Sequence, residues 1–339
     1  MNGQAVSPLP RAGILFRVLW VIAPLAIVVV VLSRLAEFSA IAGALAGASP
    51  IWLGAAVICT ALYTVNQSLV YHGVFRLMGA AVPFGDALGL TLVMAFASLA
   101  LPAGTATGVT YFVSEARRRR VAAPLALLTA LGYYLFDYGA FVPILLAALV
   151  VLHGASDAGV LSLMPLTVFG GLIAAVAGAA VWGLLHPDRV AAVIARAAGE
   201  VARLTPARRE WLAGAAVTLG REIQEICAAV RRAPVRASRP FLHAFLLHAA
   251  GIGVLGAIFV ALGWTVPLSV LISAYAAGGV FMVVSITPSA TGVVEPVMML
   301  VLTSFGVPLE VAAAAAVLFR VFTFWLPLFA GFLAWRLAR

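Results

Sequence analysis

The chain has no lysine: all 21 of its Lys-or-Arg residues, within a length of 339, are arginine. A phosphate-binding loop of the form GxxxxGK[ST] therefore cannot exist, and direct use of ATP by this chain is excluded. Cysteine is nearly absent as well. Cys59 lies in an apolar run and Cys227 in a charged one, which leaves no disulfide framework and no CxxC site. No metal and no cofactor are expected. Charge is scarce, at 10% of residues against about 25% in soluble domains, so little chain remains for an aqueous domain of the Rossmann, acyltransferase or nuclease kind. What is abundant is apolar surface: 64% of residues are hydrophobic, more than one water-facing core can hide. The sequence describes an integral membrane protein. In that setting the net charge of +9 reports orientation before it reports nucleic acid, and no nucleic-acid partner is expected.

A span needs about 20 apolar residues to cross about 30 Å of hydrocarbon. Continuous runs extend over Leu15–Leu32, Ile51–Tyr71, Pro124–Leu152, Val160–Leu185, Phe241–Leu262 and Leu309–Trp335, which predicts six full spans. The first follows Arg11 and Arg17 but is too long for a signal peptide and reads as an anchor helix. Two further stretches break in the middle, at LPAGTATGV (Leu101–Val109) and TPSATGVVE (Thr287–Glu295). Pro102, Gly104 and Pro288 are the breaking residues, and lipid tolerates such breaks only where protein or a cavity surrounds the freed backbone.

The arginines choose between a kinked span and a re-entrant hairpin for each break. With both stretches re-entrant and the N-terminus inside, Arg11, Arg17, Arg76, Arg117 to Arg120, the ten arginines from Arg189 to Arg239, Arg336 and Arg339 all face the cytoplasm. Only Arg34 then lies outside and only Arg320 within a span. A crossing first stretch would instead translocate the RRRR cluster, against the positive-inside bias. The expectation is an all-α polytopic protein of a bacterial inner membrane, with six full transmembrane helices, two re-entrant broken-helix hairpins and both termini cytoplasmic.

Sliding the chain on itself by about 184 residues lays ATGV at Ala106–Val109 on ATGV at Ala290–Val293, and brings span, hairpin and span into register twice. The copies start from opposite sides of the membrane, as inverted repeats do in transporters. Residues 1–49 then form an anchor helix and external connector, 50–152 the first repeat, 153–239 a linking span with a cytoplasmic segment, and 240–339 the second repeat. Each hairpin's second half-helix starts at the tip, so its free N–H groups and positive dipole end point toward the membrane midplane, where phosphate or carboxylate binds well. Thr105, Thr107, Gly108, Ser289, Thr291 and Gly292 are the candidate ligand contacts there, with helix capping as the alternative role of the hydroxyls. Ser285 and Ser289 are also conceivable nucleophiles, but no histidine lies within the hairpins to act as base, and no enzymatic activity is expected.

Three ionisable residues fall deep in the membrane: Asp137, Arg320 and Glu295. Such residues are costly there and are functional candidates by default. The repeat offset puts Asp137 and Arg320 at similar depth, which allows either a structural ion pair between them or a site where Arg320 holds an anion while Asp137 and Glu295 receive a cation or proton. Two acids against one base leave one carboxylate to be protonated or paired with substrate. Tyr134, one turn from Asp137, is a candidate cavity-lining residue, whereas His243 and His248, at the start of the run from Phe241, read as interfacial or structurally satisfied. Between the repeats, Val190, Val193, Ile194, Ala197, Val201 and Leu204, then Leu212, Ala215, Leu219, Ile223, Ile226 and Val230, recur at helical spacing. They predict two amphipathic helices lying on the inner leaflet.

The segment from Thr287 to Trp335 resembles the C-terminal signature of the lysylphosphatidylglycerol synthetase transmembrane, or flippase-like, family, through Pro288, Gly292, Val293, Glu295, Phe319, Arg320, Thr323, Trp325 and Pro327. Weaker similarity covers Asn66 to Gly79, Leu101 to Gly104 and Asp137. The sequence departs from the family where a Gly-Glu and an Arg usually follow the first tip, here AGTATGVTYF, and where Tyr133 and Tyr134 replace a Glu-Arg pair. No segment here resembles the cytosolic aminoacyl-transfer domain of the bifunctional members, so synthesis of the aminoacyl lipid is not expected. The resemblance implies translocation of a lipid with a polar or anionic headgroup. A secondary transporter of a small polar solute, or a noncatalytic partner of a lipid- or glycan-modifying enzyme, are the alternatives; homo-oligomerisation stays open.

Overall fold

The computed structural model describes residues 47–100, 104–154, 186–204, 209–284 and 292–337, with positions 171, 178 and 182. Leu15–Leu32 and most of Val160–Leu185, two of the six expected spans, lie outside the described residues, as do the tips at 101–103 and 285–291. No strand occurs among the described residues. The helices are α1 (Pro50–Leu77), α2 (Phe84–Ala100), α3 (Gly104–Arg118), α4 (Ala123–Gly154), α5 (Pro187–Leu204), α6 (Arg209–Arg232), α7 (Pro234–Ala261), α8 (Leu268–Val284), α9 (Val294–Ser304) and α10 (Leu309–Leu337). Four of them, α1, α4, α7 and α10, are long and apolar enough to cross a bilayer, and they are the other four expected spans.

The chain punctuates α1 and α7 identically. Each is 28 residues long and opens on a proline, Pro50 or Pro234, whose missing N–H costs nothing in a first turn. Each closes on a left-handed glycine, Gly79 (φ +81) or Gly263 (φ +77). There the next amide returns to the helix: Ala80 N–H donates to Phe75 O and Trp264 N–H to Phe259 O, both at 2.9 Å. A side chain at either glycine would be strained by that backbone. Pro83 and Pro267 then start α2 and α8, which are 17 residues each. All of these positions differ by the same 184 residues (50 to 234, 79 to 263, 84 to 268, 100 to 284). Pro143 inside α4 and Pro327 inside α10 share that offset too. A proline deprives the carbonyl four residues back of its donor, and in α10 the preceding turn, Val321–Trp325, has widened to a π-helix.

α1 and α7 run antiparallel along their whole length. Ser49 N–H donates to Ala261 O at one end (2.8 Å), and at the other Gly73 lets Pro240 approach so closely that a Cβ would sit 3.1 Å from its ring. α2 and α3 form an antiparallel helix pair. Arg119, just past α3, bonds Asp86 in the first turn of α2 at 2.8 Å, and Gly108 leaves no room for a Cβ against Ser98. α8 and α9 pair in the same sense, Gly278 lying against Val294 and Met298. The pairs then cross over. Gly331 of α10 abuts Leu92 and Phe96 of α2, while Gly279 of α8 abuts the Phe141 ring of α4. Shifted by 184, Gly279 falls on position 95, between those two α2 residues.

The polar segment forms two helices, as its spacing predicts. α5 and α6 are antiparallel, with Gly220 on Ala191 and Gln224 Nε2 donating to Asp188 Oδ1 at 3.0 Å. Their facing sides cover part of the apolar stripe, but Val193 stays 57% and Val217 65% exposed. A cleft of about 630 Å³ separates α6 from the end of α1, lined by Leu77, Met78, Arg221, Gln224, Glu225 and Arg232 among others.

Candidate functional site

Two buried polar clusters sit beside the helix pairs. The first is built on the start of α9. Gly292 (φ +80) makes the turn, and its N–H donates to Glu295 Oε2 at 3.0 Å, three residues on. The other carboxylate oxygen accepts from Arg320 Nε at 2.7 Å, and both side chains are 9% exposed. Glu295 thus closes the first turn of α9, complements its dipole and neutralises the arginine. The guanidinium also lies over the Phe324 ring, 5.6 Å from its centroid, inside the π-helical turn.

The second cluster joins α4, α7 and α8. His248 Nε2 lies 3.1 Å from the backbone carbonyl of Asp137 and 3.4 Å from its Oδ1, and Nδ1 lies 3.0 Å from the Tyr275 hydroxyl. A backbone carbonyl can only accept, so in the neutral ring the hydrogen is on Nε2, and Tyr275 donates to Nδ1. The Asp137 side chain is 15% exposed, and its Oδ1 makes no hydrogen bond among the described residues. Around it runs an aromatic ladder, with Tyr71 stacked on Tyr133 (4.4 Å), Tyr133 against Tyr134 (5.2 Å) and Tyr134 against Tyr138 (5.8 Å). Gln67 Nε2 donates to the Tyr133 hydroxyl at 3.1 Å, and Asn66 Oδ1 meets His243 Nδ1 at 3.0 Å, tying α1 to α4 and α7.

Of the two alternatives for Asp137 and Arg320, the structural ion pair between them is overturned by this geometry, because each residue has a different partner. Position 136, not 137, is the repeat equivalent of Arg320, and one residue is about 100° of helix rotation. Similar depth therefore did not mean a shared face. The carboxylate left over by the charge count is Asp137, and its partner is a histidine. Tyr134 takes its place in the ladder beside Asp137. Gly108 lies within α3 and serves the close approach of α2, and Thr107 is half-buried in the same helix. Gly104 begins α3, whereas the Thr105 side chain, Pro102, Ser285, Pro288, Ser289 and Thr291 lie outside the described residues.

His248 is structurally satisfied through both ring nitrogens, as expected, but it sits deeper than the hydropathy reading placed it. The apolar run begins at Phe241, which places His248 near an end, but the helix begins at Pro234 and makes it the fifteenth of 28 residues (248 − 234 + 1). Arg236 and Arg239 had hidden the first turns. An ionisable residue halfway along a membrane-length helix is the signal that would have found it.

A family model described as the lysylphosphatidylglycerol synthase TM region matches residues 18–331. The chain belongs to this family, and with its long apolar helices it is a multi-pass membrane protein. No curated protein matches the sequence.

Proposed function

We propose that this chain is a lipid translocator of a bacterial inner membrane, moving a polar or phospholipid-type headgroup through a midplane site between two re-entrant hairpins. The hairpins are α2 with α3, entering from the cytoplasm, and α8 with α9, entering from outside, within inverted repeats that rock about the antiparallel pair α1 and α7. The termini are cytoplasmic, six spans cross the membrane, and the exposed valines of α5 and α6 rest on the inner leaflet beneath their arginines. The reading carries no chemical step. The family's name refers to a synthase, but the matched region is the transmembrane part.

The observation that carries this reading is that both buried polar clusters adjoin the second helix pair, where lipid alone would exclude them. Arg320 supplies the charge for a lipid phosphate, and Glu295 keeps the guanidinium oriented while the headgroup passes. Asp137 and its tyrosines face the remaining polar or cationic part of the headgroup. Lipids, rather than a soluble partner, are then the ligands of this protein.

The test is dithionite accessibility of acyl-labelled fluorescent phosphatidylglycerol in vesicles of phosphatidylethanolamine and phosphatidylglycerol containing the purified chain. The wild type is expected to accelerate exchange between leaflets. Asp137→Asn, Glu295→Gln and Arg320→Ala, each checked for folding, are expected to slow it by about tenfold or more, the loss of roughly one charge-assisted contact. Undiminished exchange in all three would reject the site.

A further inference from the structure

We propose that His248, balanced by Asp137 and hydrogen-bonded to Tyr275, is a proton-binding site that sets the position of the second helix pair, so that lipid movement is coupled to a proton gradient. The coupling rests on the transport reading above; the proton site does not.

The argument begins with which cluster can change its charge. Glu295 and Arg320 neutralise each other at 2.7 Å, and Glu295's second oxygen is held by Gly292 N–H, so removing or adding a proton there would break a filled arrangement. Asp137 and His248 are different. Oδ1 lacks a hydrogen bond, the imidazole is 3.4 Å away, and imidazole is the side chain whose charge ordinarily changes near neutral pH.

On the imidazole the proton has one place to go. Nε2–H already faces Asp137, so an incoming proton binds Nδ1, and the imidazolium charge is balanced by the Asp137 carboxylate. Nδ1 then becomes a donor. The Tyr275 hydroxyl, which had donated to it at 3.0 Å, must rotate and accept instead, releasing its own hydrogen toward another acceptor. One proton is gained and none is lost from the cluster.

Tyr275 is well placed to pass this on. It lies on α8, the first helix of the second pair, and its ring presses on Gly251 of α7 so closely that a Cβ there would lie 2.7 Å from it. Its other neighbours are Phe141 of α4 at 6.3 Å and Phe319 of α10, also at 6.3 Å, and Phe319 immediately precedes Arg320. The titratable groups that face the cluster are Tyr63 and Tyr71 of α1, Tyr133, Tyr134 and Tyr138 of α4, Tyr133 also hydrogen-bonding the Asp137 side chain, and beyond Tyr275 the carboxylate of Glu295 of α9, which is held by Arg320 of α10.

The first repeat lacks the device. At the offset of 184, His248 corresponds to Thr64 and Tyr275 to Thr91, whose hydroxyls donate to Thr60 O and Ala87 O within their own helices.

Two measurements on the full chain test this. Nitrogen NMR of labelled imidazoles, with His248 assigned by its loss in His248→Gln, is expected to show His248 gaining a second ring proton on acidification, and Asp137→Asn to suppress that gain because the imidazolium loses its counter-charge. A His248 that stays neutral throughout overturns the proton site. In the vesicle assay, the initial rate for labelled phosphatidylglycerol is expected to vary by up to about tenfold per pH unit in the wild type, to be flat in His248→Gln, and to be weakened in its pH response in Tyr275→Phe. Identical pH profiles in wild type and His248→Gln overturn the coupling. If the wild type moves no lipid at any pH while His248 titrates as expected, the transport reading fails and the proton site stands.

Discussion

The two buried charge clusters of this fold were built to opposite specifications. Arg320 and Glu295 form a pair in which a carboxylate serves an arginine with one oxygen and a backbone amide with the other. Asp137 and His248 form a looser pair, with 3.4 Å between charges, an oxygen without a hydrogen bond and a histidine whose second nitrogen is committed to another helix. A filled pair inside a membrane protein fixes geometry, whereas an unfilled one is a place where charge can be added or taken away. The difference teaches that intramembrane charge is not one category.

The contrast breaks first under mutation of the filled pair. Glu295→Ala leaves Arg320 without its carboxylate in a 9% exposed position, and breaking such a pair costs about 3–5 kcal/mol. A large drop in thermal midpoint in detergent is expected. The double variant Glu295→Ala with Arg320→Met should recover much of it, because no charge is then stranded. Asp137→Asn keeps the shape and is expected to stay within about 1 kcal/mol of wild type while losing transport. If Asp137→Asn proved the more destabilising of the two, the contrast between a filled and an unfilled pair would be reversed.

The glycines at the two crossovers sharpen the comparison at the next level down. A Cβ at Gly331 would collide with the Leu92 carbonyl oxygen, whereas at Gly279 it would lie 2.7 Å from the Phe141 ring. Backbone in a helix cannot step aside and a ring can turn. Gly331→Ala is therefore expected to destabilise by about 1–3 kcal/mol and Gly279→Ala by less, in the same melting experiment. Phe141 also touches His248, at 5.2 Å between rings, so Gly279→Ala should alter transport out of proportion to its stability cost.

How far the sequence foretold this depends on the kind of information each feature needs. Four of the membrane-length helices, both broken stretches and the repeat offset were legible, because hydropathy, proline and glycine act locally; Pro50 and Pro234 or Gly79 and Gly263 mark the same boundaries in any context. Ion-pair partners were not. Glu295 and Arg320 are 25 residues apart on different helices, and which face of α10 meets α9 depends on tertiary packing and on the π-helical turn beside Arg320 rather than on depth. The depth of His248, though not its satisfied state, was missed because apolar runs understate helices that start with arginines, as α7 does with Arg236 and Arg239. The amphipathic spacing of α5 and α6 was visible, but Gly220 on Ala191 shows that the stripes first serve each other.

The mildest test lies outside the four membrane-length helices, where α6 carries a second incompletely satisfied acid. Glu222 is buried, and its Oε2 has no hydrogen-bond partner among the described residues. Burial pushes its carboxyl above the ordinary 4.5, Glu225 adds to the rise and Arg221 opposes it. A folded state that holds this proton more tightly than the unfolded chain is favoured at low pH. The contribution is fully present below the ordinary carboxylate value and is lost as pH rises through the raised one. Hydrogen exchange of α6 amides should accordingly speed up, relative to the intrinsic rate, between acid and neutral conditions, and Glu222→Gln should flatten that dependence while slowing exchange at neutral pH. The change is expected to be the smallest of the three, since the nearby Arg221 offsets part of the penalty and α6 rests at the protein's edge rather than at its centre. A Glu222→Gln variant with the wild-type pH dependence would mean that the carboxylate is served from the inner leaflet, by lipid or water, and that the contrast between filled and unfilled acids holds only in the membrane interior.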